Sequence, residues 1–554
     1  MMYLTTTPWR HCVAVSLFFI AVSVNAQDIL WEKSYGGKHA EYLFDAIPTP
    51  DYGFILAGSS LSKKTGTKID DNRGDLDYWV WKMDEKGELD WQRTFGGNDQ
   101  DLLYAVILTN DGGFLLAGTS KSDAVLDKKD NNRGNSDFWI IKLNAKGGEE
   151  WQKTIGGNGQ DEISAVIRSK DGGFIIAGSS SSEISGEKNT KGYGGMDYWV
   201  LKIDKKGEIV WQNSFGGIYN DELKGICLAK GNGYILAGSS NSPEGGTKTQ
   251  KNLGLSDYWI IKIDEKGQEK WQQVIGGSGD DQLSTVLLSG DGNYILAGNS
   301  NSGSGKDKRS SNMEGTDFWV FKMESDTKEI LWQETYNIGK VDVLTSIVEN
   351  DDKSLLLGGY AQGEIVKSKA ESKKLNNSVS DVKMKNGTDD YIVIKTNEIG
   401  EELWRKDIGS DGQDILKKVI ETRDGGYLMA GTSKTINSSS GGIKATGDKS
   451  SGVGSNDFWI VKLKDKQKPK PERKPIEAIP NPATNYTNII VGYDFTKGTA
   501  TVVDLAGRVL QSFSISERTV PIDLQGLPVG IYVVNIKTDK GNDGVKVIKR
   551  GNRN

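Results

Sequence analysis

The apolar residues of this chain come in short runs cut by Gly, Asp and Ser/Lys clusters. One stretch shows the pattern. Ile163 to Ser169 is an apolar run with an acidic start at Asp161, and Asp171-Gly172-Gly173 follows as a tight-turn signal. Phe174-Ile175-Ile176-Ala177-Gly178 predicts a second strand. A Ser/Gly/Lys-rich loop runs to Gly195, and Asp197-Tyr198-Trp199-Val200-Leu201-Lys202-Ile203 predicts a third. Asp204-Lys205-Lys206-Gly207 then turns the chain into a fourth, Ile209 to Phe215. Several strands, such as Tyr258-Trp259-Ile260-Ile261, are apolar at consecutive positions, which means that both faces of the sheet are covered.

This phrase is written again and again. Trp31, Trp91, Trp151, Trp211, Trp271, Trp332 and Trp404 open equivalent segments; the first four intervals are 60 residues and the last two 61 and 72. A fixed period of this size means a repeat architecture, and four short strands joined by hairpins and repeated radially describe a β-propeller blade. The ends are incomplete in complementary ways. Residues 27–37 supply only a fourth strand, and residues 414–464 only the first three. Pairing them completes a seventh blade and removes exposed sheet edges. The expected fold is all-β: a seven-bladed propeller of four-stranded blades closed by a 3+1 seam, followed by a small C-terminal β-sandwich. The tryptophans are read as packing between blades.

Composition narrows the classes. A formal net charge of -6, with both signs spread along the chain, argues against nucleic-acid binding, which needs a basic stripe. Abundant Gly (69) with few Pro (11) fits many tight turns. Residues 1–26 read as a secretory signal peptide: a weakly basic start, an apolar run from Val13 to Val22 too short to span a bilayer, and small residues at Val24-Asn25-Ala26. No later stretch is long and apolar enough for a membrane helix. Beyond the signal only Cys227 and His39 remain of their types, too few for an internal disulfide, a Cys/His zinc site or a Ser-His-Asp or Cys-His arrangement. No cofactor and no metal is expected.

Two sets of acids recur. Glu41, Asp101, Asp161, Asp221, Asp281, Asp342 and Asp414 begin the first strand of each repeat and form a candidate ring at the mouth of the channel. Such a ring would capture a cation or a cationic ligand; repetition in every blade favours the alternative, that each caps a turn after the Gly-Gly crossing. Asp77, Asp137, Asp197, Asp257, Asp317, Asp390 and Asp457 precede the third strand and are read as turn residues. The tripeptide Arg73-Gly74-Asp75 is read as repeat drift; Asp70, Asn72 and Gly74, and likewise Asp130, Asn132 and Gly134, have part of a calcium-loop spacing, but no glutamate closes either loop at the required distance.

One face of the expected ring is trimmed, with short Asp-Gly-Gly and Asp-Glu-Lys-Gly turns; the other carries long loops between the second and third strands, longest in the sixth repeat, Ala361 to Thr388. Long loops on a rigid scaffold are where function usually sits. The sixth repeat also has Tyr391-Ile392 where others have aromatic-Trp, and Gly358-Gly359-Tyr360 in place of Ala-Gly-Ser. An asymmetric site is therefore expected there.

Composition changes after Lys464. Residues 465–475 are charged and proline-rich, an extended spacer, and residues 476–554 read as short alternating strands of a small β-sandwich. The opening Pro480-Asn481-Pro482, the hairpin Asp504-x-x-Gly507-Arg508, the strand Leu527-Pro528-x-Gly530-x-Tyr532 and the late basic strand to Lys549 stand out. Over roughly residues 476–549 these resemble the C-terminal sorting domain (type A) of cargo of the bacterial type IX secretion system. The resemblance implies signal-peptide export to the periplasm, passage of the outer membrane by the secretion machinery, and removal of the domain by a sortase-like peptidase. The product is then surface-attached or released. The repeats are similar to uncharacterised propeller repeats of such cargo, a resemblance that carries no activity.

The leading functional expectation is a cell-surface or secreted binding or adhesion protein that uses the propeller as a rigid platform for a protein or glycan ligand. A secreted polysaccharide-degrading enzyme, glycosidase or lyase, is the alternative, since acidic residues are plentiful; a structural surface or motility component is a third reading.

Overall fold

The computed structural model describes residues 27–312, 315–363, 389–434, 447–466, 468 and 472–551. The expected signal peptide and most of the long sixth-repeat loop lie outside them. Among the described residues every regular element is a strand.

Within the repeats, four consecutive strands pair antiparallel in chain order, as in Asp101–Leu108, Phe114–Ser120, Asp137–Leu143 and Glu149–Ile155. One sheet is assembled from both ends of the repeat region. Gln27–Tyr35 lies antiparallel to Asn456–Asp465, with Trp31 opposite Lys462 and Tyr35 opposite Phe458, and Tyr427–Lys434 and Asp414–Glu421 follow. This is a β-propeller: apolar strands pack face to face, sheet against sheet, so the middle strands are buried along their whole length.

One aromatic contact repeats at the junctions. The ring of Tyr78 lies 4.7 Å from that of Trp139 in the next sheet, Tyr198 lies 4.9 Å from Trp259, and Phe458 of the last repeat lies 4.7 Å from Trp79 of the first. The buried indoles need a hydrogen-bond partner, and the Trp-Gln phrase supplies it. Trp79 Nε1 donates to Gln92 Oε1 at 3.0 Å and Trp139 Nε1 to Gln152 Oε1 at 3.1 Å. In the sheet built from both ends the acceptor is Glu32, whose Oε2 takes the Trp459 N–H at 2.8 Å. The sixth repeat has lost both partners together: Ile392 stands for the Trp and Arg405 for the Gln.

The long loops are fastened by a buried lysine. Lys128 Nζ donates to the carbonyls of Ser122 and Asp130, both at 2.8 Å, and Lys68, Lys188 and Lys248 occupy the same place in their repeats. These loops are therefore built parts of the scaffold.

The C-terminal unit has two sheets around one core. Ile476–Ile479, Tyr486–Val491 and Thr519–Asp523 form the first; Val509–Ile515, Gly498–Asp504, Gly530–Thr538 and Asn542–Lys549 form the second. Val491, Val502, Ile522, Val534 and Val547 fill the space between them. The unit rests on the short-turn face of the propeller. Glu85 accepts hydrogen bonds there from Arg473 and from Arg518, the latter at 2.9 Å. Tyr52 is held between two guanidinium groups, Arg423 at 4.2 Å and Arg473 at 4.4 Å from its ring.

Candidate functional site

The first strand of every repeat carries a β-bulge. Pairing slips between Leu43 and Asp45, between Leu103 and Ala105, and likewise as far as Leu416 and Lys418. The bulged residue is freed from the ladder and re-aimed. These residues converge on one cavity of about 390 Å³, to which the first strands of all the repeats contribute.

The bulge residues differ in chemistry from repeat to repeat. Phe44 and Tyr104 are aromatic, with ring centroids 4.8 Å apart. Lys224 and Lys417 are cationic, and Ser164, Ser284 and Thr345 are hydroxylic. The residue after the bulge adds Asp45 and Lys418. Asp45 accepts the backbone N–H of Val106 at 3.0 Å and the ammonium of Lys418 at 3.0 Å, tying the first, second and last repeats together. Lys224 pairs with Glu222 at 2.7 Å. Lys417 has neither hydrogen bond nor ion pair among the described residues; burial pushes its ammonium below the usual lysine range. Burial and the charge of Glu162 push the Tyr104 phenol up to about 12, so it stays protonated and able to donate.

The acids singled out in the sequence lie elsewhere. Glu41, Asp101, Asp161, Asp221, Asp281, Asp342 and Asp414 are fully buried. Each accepts a backbone N–H four residues upstream: Gly97 to Asp101 at 2.8 Å, Gly157 to Asp161 at 2.7 Å, Ser410 to Asp414 at 2.6 Å. In most repeats a serine hydroxyl adds a contact, as Ser122 Oγ does on Asp101 at 3.0 Å. Each also faces the second recurring acid across a sheet junction. An ideal Cβ on Gly36 would sit 2.5 Å from both Asp457 and Glu41, which is why glycine stands there. Among the described residues no three His, Cys, Asp or Glu side chains are grouped to hold a metal ion. Cys227 is buried, and its thiol is pushed up to about 12. Arg73 is engaged within the fold, its Nε 2.9 Å from Asp127 of the next repeat.

In the C-terminal unit, most of the motif residues bind one another. Asn481 donates to the Lys546 carbonyl at 2.6 Å and accepts the Ile548 N–H at 2.9 Å. Asp504 caps its hairpin by accepting the N–H of Ala506 at 3.0 Å and of Arg508 at 2.9 Å, while its second oxygen meets the Arg508 guanidinium at 2.7 Å. Gly507 turns the chain at φ 78°, a region that favours glycine. Tyr532 donates to the Pro528 carbonyl, and Lys549 Nζ reaches the Leu527 carbonyl at 2.6 Å. Leu527 is packed partly buried against the core, Gly530 begins a strand, and Pro480 and Pro482 follow cis peptide bonds.

That last geometry carries a recognisable family. Residues 477–550 match the secretion system C-terminal sorting domain. These residues mark the chain for type IX-dependent secretion. Its tail directs it to the outer surface or the extracellular space. For the repeats the likenesses are thin. A regulatory protein of Caulobacter vibrioides, FlaEY, is 25% identical over 199 residues, covering 34% of this chain and 21% of the relative, so the chain spans about a fifth of that protein. Solved structures to which the chain is similar include the Dos1 propeller (9% identity, 78% of this chain, 95% of that one, TM-score 0.35). Others are YCF48 bound to D1 peptide (7%, 80%, 96%, 0.38) and a protein of unknown function from Dyadobacter fermentans (12%, 61%, 95%, 0.36).

The repeat pattern does not mark the bulge positions; it points to the sixth-repeat loop. That loop, residues 364–388, lies outside the described residues. The signal was present: three residues after each recurring acid the repeats read Phe, Tyr, Ser, Lys, Ser, Thr and Lys.

Proposed function

We propose that the chain is an exported binding protein in which residues 27–464 close into a seven-bladed ring and the central channel takes the ligand. A linker at 465–475 then joins the ring to the sorting domain at 476–554. Closure is supported by contacts that recur between the last repeat and the first. Thr432 Oγ1 accepts the Leu43 N–H at 2.9 Å just as Ser59 Oγ accepts that of Leu103 at 3.1 Å, and Lys418 meets Asp45. Ligand binding in the channel is carried by one observation: the residues aimed into it break the repeat pattern, while the fully buried acids keep it. A fold-defining position repeats; a recognition position need not. The enzyme reading gains nothing from those acids, because buried carboxylates cannot reach a polysaccharide.

The test is retention of glycans and cell-surface proteins on the immobilised protein, compared with Ser164→Trp, which fills the channel. The reading expects a ligand that the variant no longer retains. No retained ligand, or equal retention by the variant, overturns it.

A further inference from the structure

The proposed closure brings the seventh and first repeats side by side, so the channel wall reads in spatial order Thr345, Lys417, Phe44, Tyr104, Ser164. An unpaired ammonium stands beside an aromatic pair, with hydroxyls on both flanks. The other cations of the lining have partners: Lys418 has Asp45 and Lys224 has Glu222. Lys417 therefore leaves the wall one positive charge in excess, and burial penalises that charge until an anion meets it. An anion alone would need no aromatic neighbours. Phe44 and Tyr104 offer flat apolar surface of the kind that packs on the C–H face of a sugar ring. Ser164 has no protein partner among the described residues, and the Thr345 hydroxyl, which donates to the Leu416 carbonyl at 2.9 Å, keeps its acceptor capacity. The volume of about 390 Å³ falls in the range of small-ligand clefts.

Resting on the channel-binding reading, we propose that the ligand is the end of an acidic saccharide, a pyranose ring bearing a carboxylate. The carboxylate meets Lys417, the ring face lies on Phe44 and Tyr104, and the hydroxyls bond Ser164 and Thr345. The charge-assisted bond gives acid selectivity, and the aromatic surface gives selectivity for a ring over a bare anion.

The experiment is calorimetric titration of the purified protein with trigalacturonate, cellotriose, benzoate and sulfate. Trigalacturonate is expected to bind, and cellotriose at least about tenfold more weakly. Lys417→Met and Phe44→Leu each weaken trigalacturonate about tenfold or more, with circular dichroism and melting unchanged. Equal binding of cellotriose, tighter binding of benzoate or sulfate, unchanged affinity in Lys417→Met, or no heat with trigalacturonate at about 10 mM overturns the proposal. Lys417→Arg keeps the charge and retains binding, which guards against a loss caused by misfolding. If the acidic sugar fails while Ser164→Trp still abolishes retention of another ligand, the channel reading stands and only its chemistry falls.

Discussion

At the sheet junctions carboxylates are buried in pairs. Asp77 is pushed up to about 7 and Asp101 to about 6, chiefly by burial, and for Asp77 the neighbouring charge of Asp101 adds to it. Asp137 and Asp342 rise to about 6, and Asp197 and Asp390 to about 7, for the same first reason. A carboxyl whose pKa is raised on folding favours the folded chain while protonated and loses that advantage as pH rises through the folded value. The folded protein is therefore expected to be more stable at pH 5 than at pH 8, with a melting temperature that falls by several degrees between them. Opposing groups act outside this window. Asp171 and Asp291, despite partial desolvation, are drawn down to about 2 by Lys202 and Lys322, so their contribution is lost only in stronger acid. Lys68 and Lys248, lowered to about 8 by burial, act above it. Thermal melts at pH 5, 6, 7 and 8 check the point; a melting temperature that rises over this range contradicts the buried pairs.

At the scale of the element, the strand Gln27–Tyr35 is the one far from its sheet in sequence, and Glu32 fixes it there. One oxygen takes the Trp459 indole N–H and the other the backbone N–H of Ser450 at 3.1 Å. Glu32→Gln reproduces the arrangement of the other repeats and is expected to melt within about 0.5 kcal/mol of the parent. Glu32→Ala leaves a buried indole N–H unpaired and is expected to cost about 1–3 kcal/mol, read as a lowered denaturation midpoint and faster proteolysis near residue 27. Equal stability of the two variants would show that the bond does not hold the strand. This strand also marks what the sequence discloses. Strand identity, the turns and the Trp-Gln phrase are legible because backbone pleating and buried indoles impose fixed residue types at fixed spacing. The channel residues are not, because a bulge only re-aims a side chain and leaves its chemistry free. Phe44, Ser164 and Lys417 share no residue type that a pattern could reveal, and only their three-residue offset from a recurring acid connects them.

At the scale of the whole molecule, the sorting domain is fastened to one corner of the propeller, and the first repeat is altered to receive it. Tyr52 adopts φ 68° at a turn position where Gly112, Gly172, Gly292 and Gly425 stand, and where the sixth repeat has Lys353. A bulky side chain there costs about 1–2 kcal/mol. The return is the guanidinium stack of Arg423 and Arg473 on its ring, while Glu85 on the neighbouring turn gathers Arg473 and Arg518. Those two bonds hold the Glu85 carboxyl below the usual range against its burial. Glu85→Ala removes the shared acceptor without touching any basic protease site. With partial solvent screening the loss is about 1–2 kcal/mol, roughly a tenfold rise in the undocked population. Trypsin is then expected to cut the linker at 465–475 several times faster, with a larger radius of gyration in solution scattering and an unchanged melt of the propeller. Glu88→Ala, on the same turn but paired with Lys33, is expected to leave both readouts where they were. Identical linker cleavage in the two variants would mean that the sorting domain is held by its other contacts, such as Glu477 on Arg423 and Thr519 on Asp51, and not by the Glu85 clasp.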